Sequence, residues 1–260
     1  MTGAIPRPDV IAIIPARYAS TRFPGKPLAK DTGKYLIQHV YERARAARCV
    51  RRCIVATDDA RIAAAVRGFG GEVVMTRPDH PSGTDRIAEV ARGAGGRDDD
   101  IILNVQGDEP EIEPAYLDRL ATRLAGEGPD CPVATLACPF PDGADPRDPN
   151  CVKVVTSRRN RALYFSRALI PYPRDGDAAY PASRWLLHLG VYAYRRAFLL
   201  ELAGCAPGAL EGMERLEQLR VLELGHAIAV EVVPQASVGI DTPQEYAAFV
   251  ARVRHVGGGP

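Results

Sequence analysis

Val10-Ile11-Ala12-Ile13-Ile14 is an unbroken apolar run. It has neither the 3.6-residue spacing of an amphipathic helix nor the alternation of a half-exposed strand. It reads as a strand buried on both faces, as parallel strands covered by helices are. Pro15 ends the run, and a loop rich in Arg, Ser, Thr, Gly and Pro continues to about Lys34. A helix is predicted over 35–48, with Leu36, Ile37, Val40 and Ala44 on one face. The alternation then repeats. Cys53–Ala56 is strand-like, and Asp58 or Asp59 can cap a helix over Ala60–Phe69. Glu72–Met75 is a short strand, and a polar loop over 76–82 leads into a helix over Thr84–Arg92. Ile101–Val105 is a further apolar strand, Pro114 suits the first turn of a helix reaching about Ala125, and Val133–Cys138 is strand-like again.

The second half reads differently. Strands are predicted at 152–155 and 186–194, on either side of a proline-rich stretch over 166–173. Helices are expected at 195–203, 213–224 and 243–254, and a late strand at 228–233. Strand–helix alternation with continuous apolar strands predicts an α/β fold around a parallel sheet covered on both faces. Ligands of such sheets bind at the carboxyl ends of the strands. The informative loops, 15–30, 76–83 and 106–110, all follow strands.

Composition narrows the classes. A chain of 260 residues suits one α/β domain, or one with a smaller lobe, and buries roughly 75% of its unfolded surface. The net charge of +1 argues against a dedicated nucleic-acid or membrane-surface binder. The six cysteines form no C-x-x-C pair, so reduced, mostly buried thiols in a cytoplasmic protein are expected. No signal-peptide pattern opens the chain, and no apolar run approaches the roughly 20 residues of a membrane helix. Residues 1–9 read as a loose leader and 255–260 as a frayed tail. Lysine occurs only at 26, 30, 34 and 153 among 33 basic residues, the mark of a GC-rich genome.

Arg17, Arg22 and Lys26 fall in the loop after the first strand, separated by small residues that let backbone N–H groups approach an anion. That combination suits a triphosphate. It is neither a Walker A motif nor a dinucleotide fingerprint, and a solvated basic loop is the competing reading. Asp108, in Gln106-Gly107-Asp108-Glu109-Pro110, stands where a strand end could hold Mg²⁺; a turn-forming Asp is the alternative. Asp241, in Gly239-Ile240-Asp241-Thr242-Pro243, is a second such acid, or a helix N-cap.

Together these segments resemble the CMP-Kdo synthetases, the 3-deoxy-manno-octulosonate cytidylyltransferases. Ile13-Ile14-Pro15-Ala16-Arg17 through Arg22-Phe23-Pro24-Gly25-Lys26-Pro27 is similar to their nucleotide signature. Met75 through Arg86, Val105 through Pro110, Val152–Val155, Leu163–Arg167, His188–Tyr192, Leu216–Arg220 and Ile240–Pro243 match further family segments. The resemblance covers about residues 10–250 in order. It implies a Rossmann-like, mostly parallel sheet of the nucleotidyltransferase type with a smaller acceptor and dimerisation lobe. Within a single domain of 1–260, the nucleotide core would span 10–138, the lobe 139–225, and 226–254 would return to the core.

The resemblance also implies roles. Arg17 and Lys26 would grip the CTP phosphates, Arg22 sits where related nucleotidyltransferases place another phosphate arginine, Ala16 would bind the nucleotide, and Arg77, Ser82 and Gln106 fall where the cytidine is recognised. Asp108 and Asp241 would hold Mg²⁺. Arg17, Lys26 and Asp108 would be catalytic. Pro139, Arg167, His188, Tyr192, Glu217 and Gln218 match acceptor positions, though Tyr192 could be ordinary core and His188 a hydrogen-bonded strand residue. The reaction would be CMP transfer from CTP to a small acidic acceptor with release of pyrophosphate. The resemblance favours Kdo; the GC-rich bias leaves room for a phosphonate or another acid. A non-catalytic nucleotide sensor is disfavoured by the joint presence of Arg17, Lys26, Asp108 and Asp241, and a sugar-nucleotide glycosyltransferase by the triphosphate loop. A homodimer with 156–185 as its arm is implied. The family usually has Gly-Lys-Pro where this chain has Gly33-Lys34-Tyr35, so Tyr35 is expected to lack a favourable proline at the first helical position.

Overall fold

The computed structural model describes residues 8–141, 143–176 and 180–257. Residues 1–7 of the leader, 258–260 of the tail and 177–179 of the 156–185 segment lie outside the described residues. Asp9, read as leader, is tied in: its N–H donates to Asp100 Oδ1 (2.9 Å) and its carbonyl accepts from Ile101.

The chain divides into two compact units, one of residues 1–118 and 237–260, the other of 119–236. In the first, the opening apolar run forms β1 (Val10–Ala16), followed by α1 (Leu36–Arg45), β2 (Val50–Thr57), α2 (Ala60–Gly68), β3 (Glu72–Met75), α3 (Gly83–Gly93) and β4 (Ile101–Asn104). The order β3-β2-β1-β4 is parallel throughout, with Ile13 facing Ile54 and Asn104. Ile13, Ile14, Ile54 and Leu103 are fully buried, which is why these runs show no alternation. Helix α4 (Pro114–Ala125) contains the boundary between the units.

Asp59 caps α2 by accepting from Arg61 and Ile62. Asp58, the other candidate cap, instead receives Arg86 Nη2 (3.1 Å). Arg86 is fully buried and also reaches Thr76 Oγ1, so it ties α3 to the ends of β2 and β3. Unpaired, a charge so deep would cost several kcal/mol, roughly 3–5.

In the second unit, β5 (Val133–Pro139) runs parallel to β9 (Ile228–Val232) and antiparallel to β8 (Leu186–Arg195). Strands β6 (Lys153–Thr156) and β7 (Ala162–Ser166) form an antiparallel pair, and β6 also joins β8. The whole is a mixed α/β fold with mostly parallel pairing of its long strands in the first unit. The sequence reading missed β7, because it lies beside the proline-rich stretch and is short. The helix expected over 213–224 is two, α6 (Ala209–Glu214) and α7 (Leu219–Glu223), with α5 (Arg196–Leu202) before them. Arg215 breaks the run: its φ of 52° lies in the left-handed region and ends α6. Tyr35 proves to be the N-cap of α1 rather than its first residue. Its carbonyl accepts from Gln38 and His39, and Lys30 sits over its ring at 4.7 Å, so no first-turn proline is lost.

Helix α8 (Pro243–Gly257) completes the first unit. Tyr246, Phe249 and Val250 pack with Ile240 and Leu36, against Phe23 of the basic loop. This cluster brings the 240–241 segment to the loop after β1. The loop after β4 is tight as well. A Cβ on Gly107 would come 2.8 Å from the Pro15 carbonyl oxygen, a backbone atom that cannot swing aside. Gly107→Ala is therefore expected to lower the unfolding free energy by about 1–3 kcal/mol in urea denaturation, the usual cost of overpacking.

Candidate active site

Because β1 to β4 are parallel, the loops after them leave one edge of the sheet. Gly25, at φ 72°, lets the first loop turn back so that its N–H reaches the Tyr18 carbonyl (3.0 Å). A single 3₁₀ turn, Lys26–Leu28, follows and aims Lys26 inward. Its Nζ donates to Asp108 Oδ2 (2.8 Å), Asp241 Oδ1 (3.0 Å) and the Ile240 carbonyl (2.9 Å). All three ammonium donors are thereby used. Burial opposes the charge on Lys26, but Asp108 and then Asp241 outweigh it and hold its pKa above the ordinary lysine value.

The structure does not use Asp241 as the helix cap. Thr242 caps α8: Glu245 N–H donates to Thr242 Oγ1 (3.2 Å), while Glu245 Oε2 accepts from the N–H groups of Thr242 and Asp241 (2.8 Å each). That capping box leaves the Asp241 carboxylate for cations. It takes Lys26 on one oxygen and Arg22 Nη2 (2.7 Å) on the other. The Ile240 N–H donates to the Asp108 carbonyl (2.8 Å), which joins the two acid-bearing segments. Asp108 likewise does more than form a turn.

The two carboxylates converge on one cation, and here an ammonium stands in that place. Among the described residues no group of three or more His, Cys, Asp or Glu is assembled as a metal set. A pair of carboxylates fits Mg²⁺, which keeps several waters and takes one or two protein carboxylates alongside phosphate oxygens.

Of the other expected nucleotide residues, Ala16 ends β1 and Arg17 Nη2 donates to the His80 carbonyl (2.9 Å). Arg77 is exposed, with Nε 3.5 Å from Asp79 Oδ1. Ser82 caps α3: its Oγ accepts from Asp85 N–H (3.1 Å) and donates to Asp85 Oδ2 (2.6 Å). The Gln106 carbonyl accepts from Glu109 N–H (3.2 Å).

Two features escaped the sequence reading. Arg61 stacks on the Tyr18 ring at 3.4 Å, and a Cβ on Gly25 would meet that ring at 3.0 Å. Glu109 accepts from Ser237 Oγ (2.7 Å), and burial, against that hydrogen bond and aided by Asp108, pushes its carboxyl up to about 7. Each joins residues far apart in the chain, which no local pattern signals.

The expected acceptor residues lie in the second unit. His188 and Tyr192 share β8, with ring centroids 5.5 Å apart, and Phe165 of β7 meets His188 edge-on at 4.9 Å. His188 Nε2 is 3.0 Å from Thr135 Oγ1, whose own proton goes to the backbone carbonyls of Val191 (2.9 Å) or Leu189. Thr135 therefore accepts, which assigns the His188 proton to Nε2 and leaves Nδ1 as the ring's acceptor. Burial pushes the His188 pKa down to about 3 and raises that of Tyr192. Gln218 is buried, and its Nε2 has no partner in the structure; Glu217 beside it is exposed. A buried amide donor costs about 1–3 kcal/mol while unpaired, a cost that a ligand oxygen would remove. Pro139 ends β5.

Arg167 stands apart from the others. Its guanidinium donates to the carbonyls of Glu214 (2.8 Å), Pro149 (2.9 Å) and Arg215 (3.4 Å). It ties β7 to the turn after α6. Buried Lys153, which the sequence reading gave only as part of the Val152–Val155 match, holds the Arg167 carbonyl (2.6 Å) together with those of Cys151 and Asp148.

Residues 11–228 match the family described as cytidylyltransferase. A 3-deoxy-manno-octulosonate cytidylyltransferase of Syntrophotalea carbinolica is 52% identical over 95% of this chain and 99% of its own. An 8-amino-3,8-dideoxy-manno-octulosonate cytidylyltransferase of Shewanella baltica is 48% identical over 91% of this chain and 95% of its own. The solved structure of a CMP:2-keto-3-deoxy-manno-octonic acid synthetase complexed with CTP superposes with a TM-score of 0.88. It is 43% identical, over 95% of this chain and 99% of that one.

The buried neutral His188 sets a pH dependence. Its folded pKa is depressed below the unfolded value of 6.5, so between about 6.5 and 3 the unfolded chain binds a proton that the folded one does not. The stability it contributes is full above pH 6.5 and is lost as pH falls, by at most about 1.4 kcal/mol per pH unit. Urea denaturation between pH 7.5 and 4.5 should show a flatter acid decline for His188→Gln than for the wild type.

Proposed function

Because the chain belongs to the cytidylyltransferase family, we propose that it transfers CMP from CTP to 3-deoxy-manno-octulosonate and releases pyrophosphate. It is a CTP-dependent nucleotidyltransferase. The observation that carries the reading of the site is the convergence of Asp108 and Asp241 at 2.8–3.0 Å on Lys26, which lies in a loop that also bears Arg17 and Arg22.

In the proposed reaction, Arg17, Arg22 and Lys26 hold the β- and γ-phosphates. The anionic triphosphate competes with Asp108 and Asp241 for the Lys26 ammonium and draws it onto phosphate. Mg²⁺, when bound, would be held by Asp108 and Asp241 and would supply neutralisation of charge on the phosphoryl oxygens. An acceptor hydroxyl oxygen forms the new bond to the α-phosphorus as the bond to the bridging β-oxygen breaks; pyrophosphate leaves with the electron pair and the hydroxyl proton is released. Negative charge grows on the α-phosphoryl and leaving oxygens, so cations already in place lower the barrier. Arg77, Ser82 and Gln106 are the proposed cytidine segment, within which Ser82 also shapes the α3 terminus.

The acceptor is supported by the relatives named for octulosonates, which favour a sugar acid over a phosphonate. His188, Tyr192, Glu217, Gln218 and Pro139 are the proposed acceptor residues. The unpartnered Gln218 amide and the His188 Nδ1 lone pair support this, since one donates and the other accepts from a polyol. Arg167 supports the pocket through the backbone it ties. A homodimer is proposed, supported by the exposure of Leu163 and Tyr172 in the 156–185 segment. A cytoplasmic location is proposed as well; no helix of the described residues is long and apolar enough to cross a membrane.

Pyrophosphate release with CTP and Mg²⁺ tests the reading against 3-deoxy-manno-octulosonate, its 8-amino analogue, other 2-keto sugar acids and small phosphonates. Turnover with the first is expected; turnover with a phosphonate alone would overturn the acceptor and keep the nucleotide chemistry. In the same assay Lys26→Ala and Asp108→Ala should each lower turnover by more than about 10²-fold, the scale for losing one preorganised electrostatic group. Near-normal turnover in either would remove that residue from the site.

A further inference from the structure

Glu89 lies on α3 and has no place among the residues expected to touch substrate. Its carboxylate turns back toward the loop that precedes the helix. Oε2 accepts from the backbone N–H of Arg77 (3.2 Å) and pairs with His80 Nε2. The His80 side chain is only 6% exposed, so its ring has little freedom to leave this partner. The carbonyl of the same His80 accepts from Arg17 Nη2 (2.9 Å). One carboxylate thus holds both ends of the 77–80 loop, and an arginine of the phosphate loop rests on the far side of it.

We infer that Glu89 is a positioning residue for the nucleotide half of the reaction, setting Arg17 through His80, with the Arg77 N–H fixing the other end of the loop. The inference rests on the reading of Arg17 as a nucleotide-binding residue. The chemistry of the position suits the task. Two donors meet one oxygen, and a carboxylate oxygen accepts both with the strength of a charge-assisted bond. Burial works against ionisation of Glu89, yet His80 and the Arg77 N–H outweigh it and hold its carboxyl below the ordinary glutamate range. A glutamine there would keep the shape and one acceptor oxygen but lose the charge, so both bonds to that oxygen fall to roughly half their strength. The loop is then held less firmly and carries the His80 carbonyl away from Arg17 more readily. Displacing a phosphate-gripping group by even about 1 Å weakens binding and turnover disproportionately.

The test is a double-mutant cycle with Glu89→Gln and Arg17→Ala, two residues that do not touch. CTP binding is followed calorimetrically without acceptor, KM values by pyrophosphate release, and folding by the thermal midpoint. Glu89→Gln is expected to raise the CTP Kd and KM about 10-fold, with acceptor KM within about 2-fold and the midpoint nearly unchanged; in the Arg17→Ala background its effect should shrink to about 2-fold, the non-additivity of coupled groups. His80→Asn should reproduce the CTP defect, and Glu89→Asp, which keeps the charge, should restore part of it. Additive losses in the cycle overturn the inference while leaving Arg17 in place. So does a lowered midpoint with unaltered CTP binding, which would make Glu89 a fold residue only. If Arg17→Ala binds CTP at wild-type strength, the assignment of Arg17 fails and the inference falls with it. Should Glu89→Gln fold poorly, the His80→Asn and Arg17→Ala cycle reads the same coupling.

Discussion

A single ammonium, that of Lys26, holds the first unit's functional edge together. It is bound by Asp108 from the loop after β4 and by Asp241 from the segment before α8, which are 133 residues apart in the chain. Two carboxylates facing each other at this spacing repel, and only a cation between them makes the arrangement stable. That requirement dictates much around it. Gly25 must turn the loop, Gly107 must let the loop after β4 pass close to Pro15, and Thr242 must cap α8 so that Asp241 does not. Lys26 is mostly buried while Arg22 is well exposed, so the lysine contact dominates and the arginine contact is screened by solvent.

The same cation belongs to a set of positive groups that are all paired at the proposed nucleotide site. Its positive groups are not left unpaired. Lys26 and Arg22 rest on acids, and Arg17 rests on the His80 carbonyl. For Arg17 a phosphate oxygen is a stronger acceptor than the His80 carbonyl it now holds. The arrangement is preorganised for charge without carrying an unpaired buried cation. In the second unit the order is reversed: His188 is kept neutral by burial and Gln218 keeps an amide donor unpartnered, as suits a polyol acceptor.

Arg167 shows a side chain at a motif position that also organises backbone. The residue lies where the resemblance implies an acceptor contact, and its guanidinium donates to three backbone carbonyls. Lys153 holds neighbouring backbone through three carbonyls of its own. Cations set against carbonyl oxygens hold loops where neither helix nor strand does, and the loops around 148–151 and 214–215 are of that kind.

By itself the sequence determined the strands of the first unit, their parallel order of burial, the three loops that carry chemistry and the residue types at their tips. Continuous apolar runs and capping residues are local signals, and local physics suffices to read them; Asp59 and Pro114 act as expected. Tertiary structure alone decided the direction of β8 against β5, because a fully buried strand has the same composition whether its neighbour runs with it or against it. It also decided the break at Arg215, whose left-handed conformation no residue preference announces. The choice between cap and cation ligand for Asp241 belonged there too, since Thr242 next door offers an equally good cap and only the approach of Lys26 separates the two roles. The Glu89–His80–Arg17 relay is of the same kind. Its members stand 9 and 63 positions apart in the chain, and a hydrogen bond over such a distance exists only once the chain has folded.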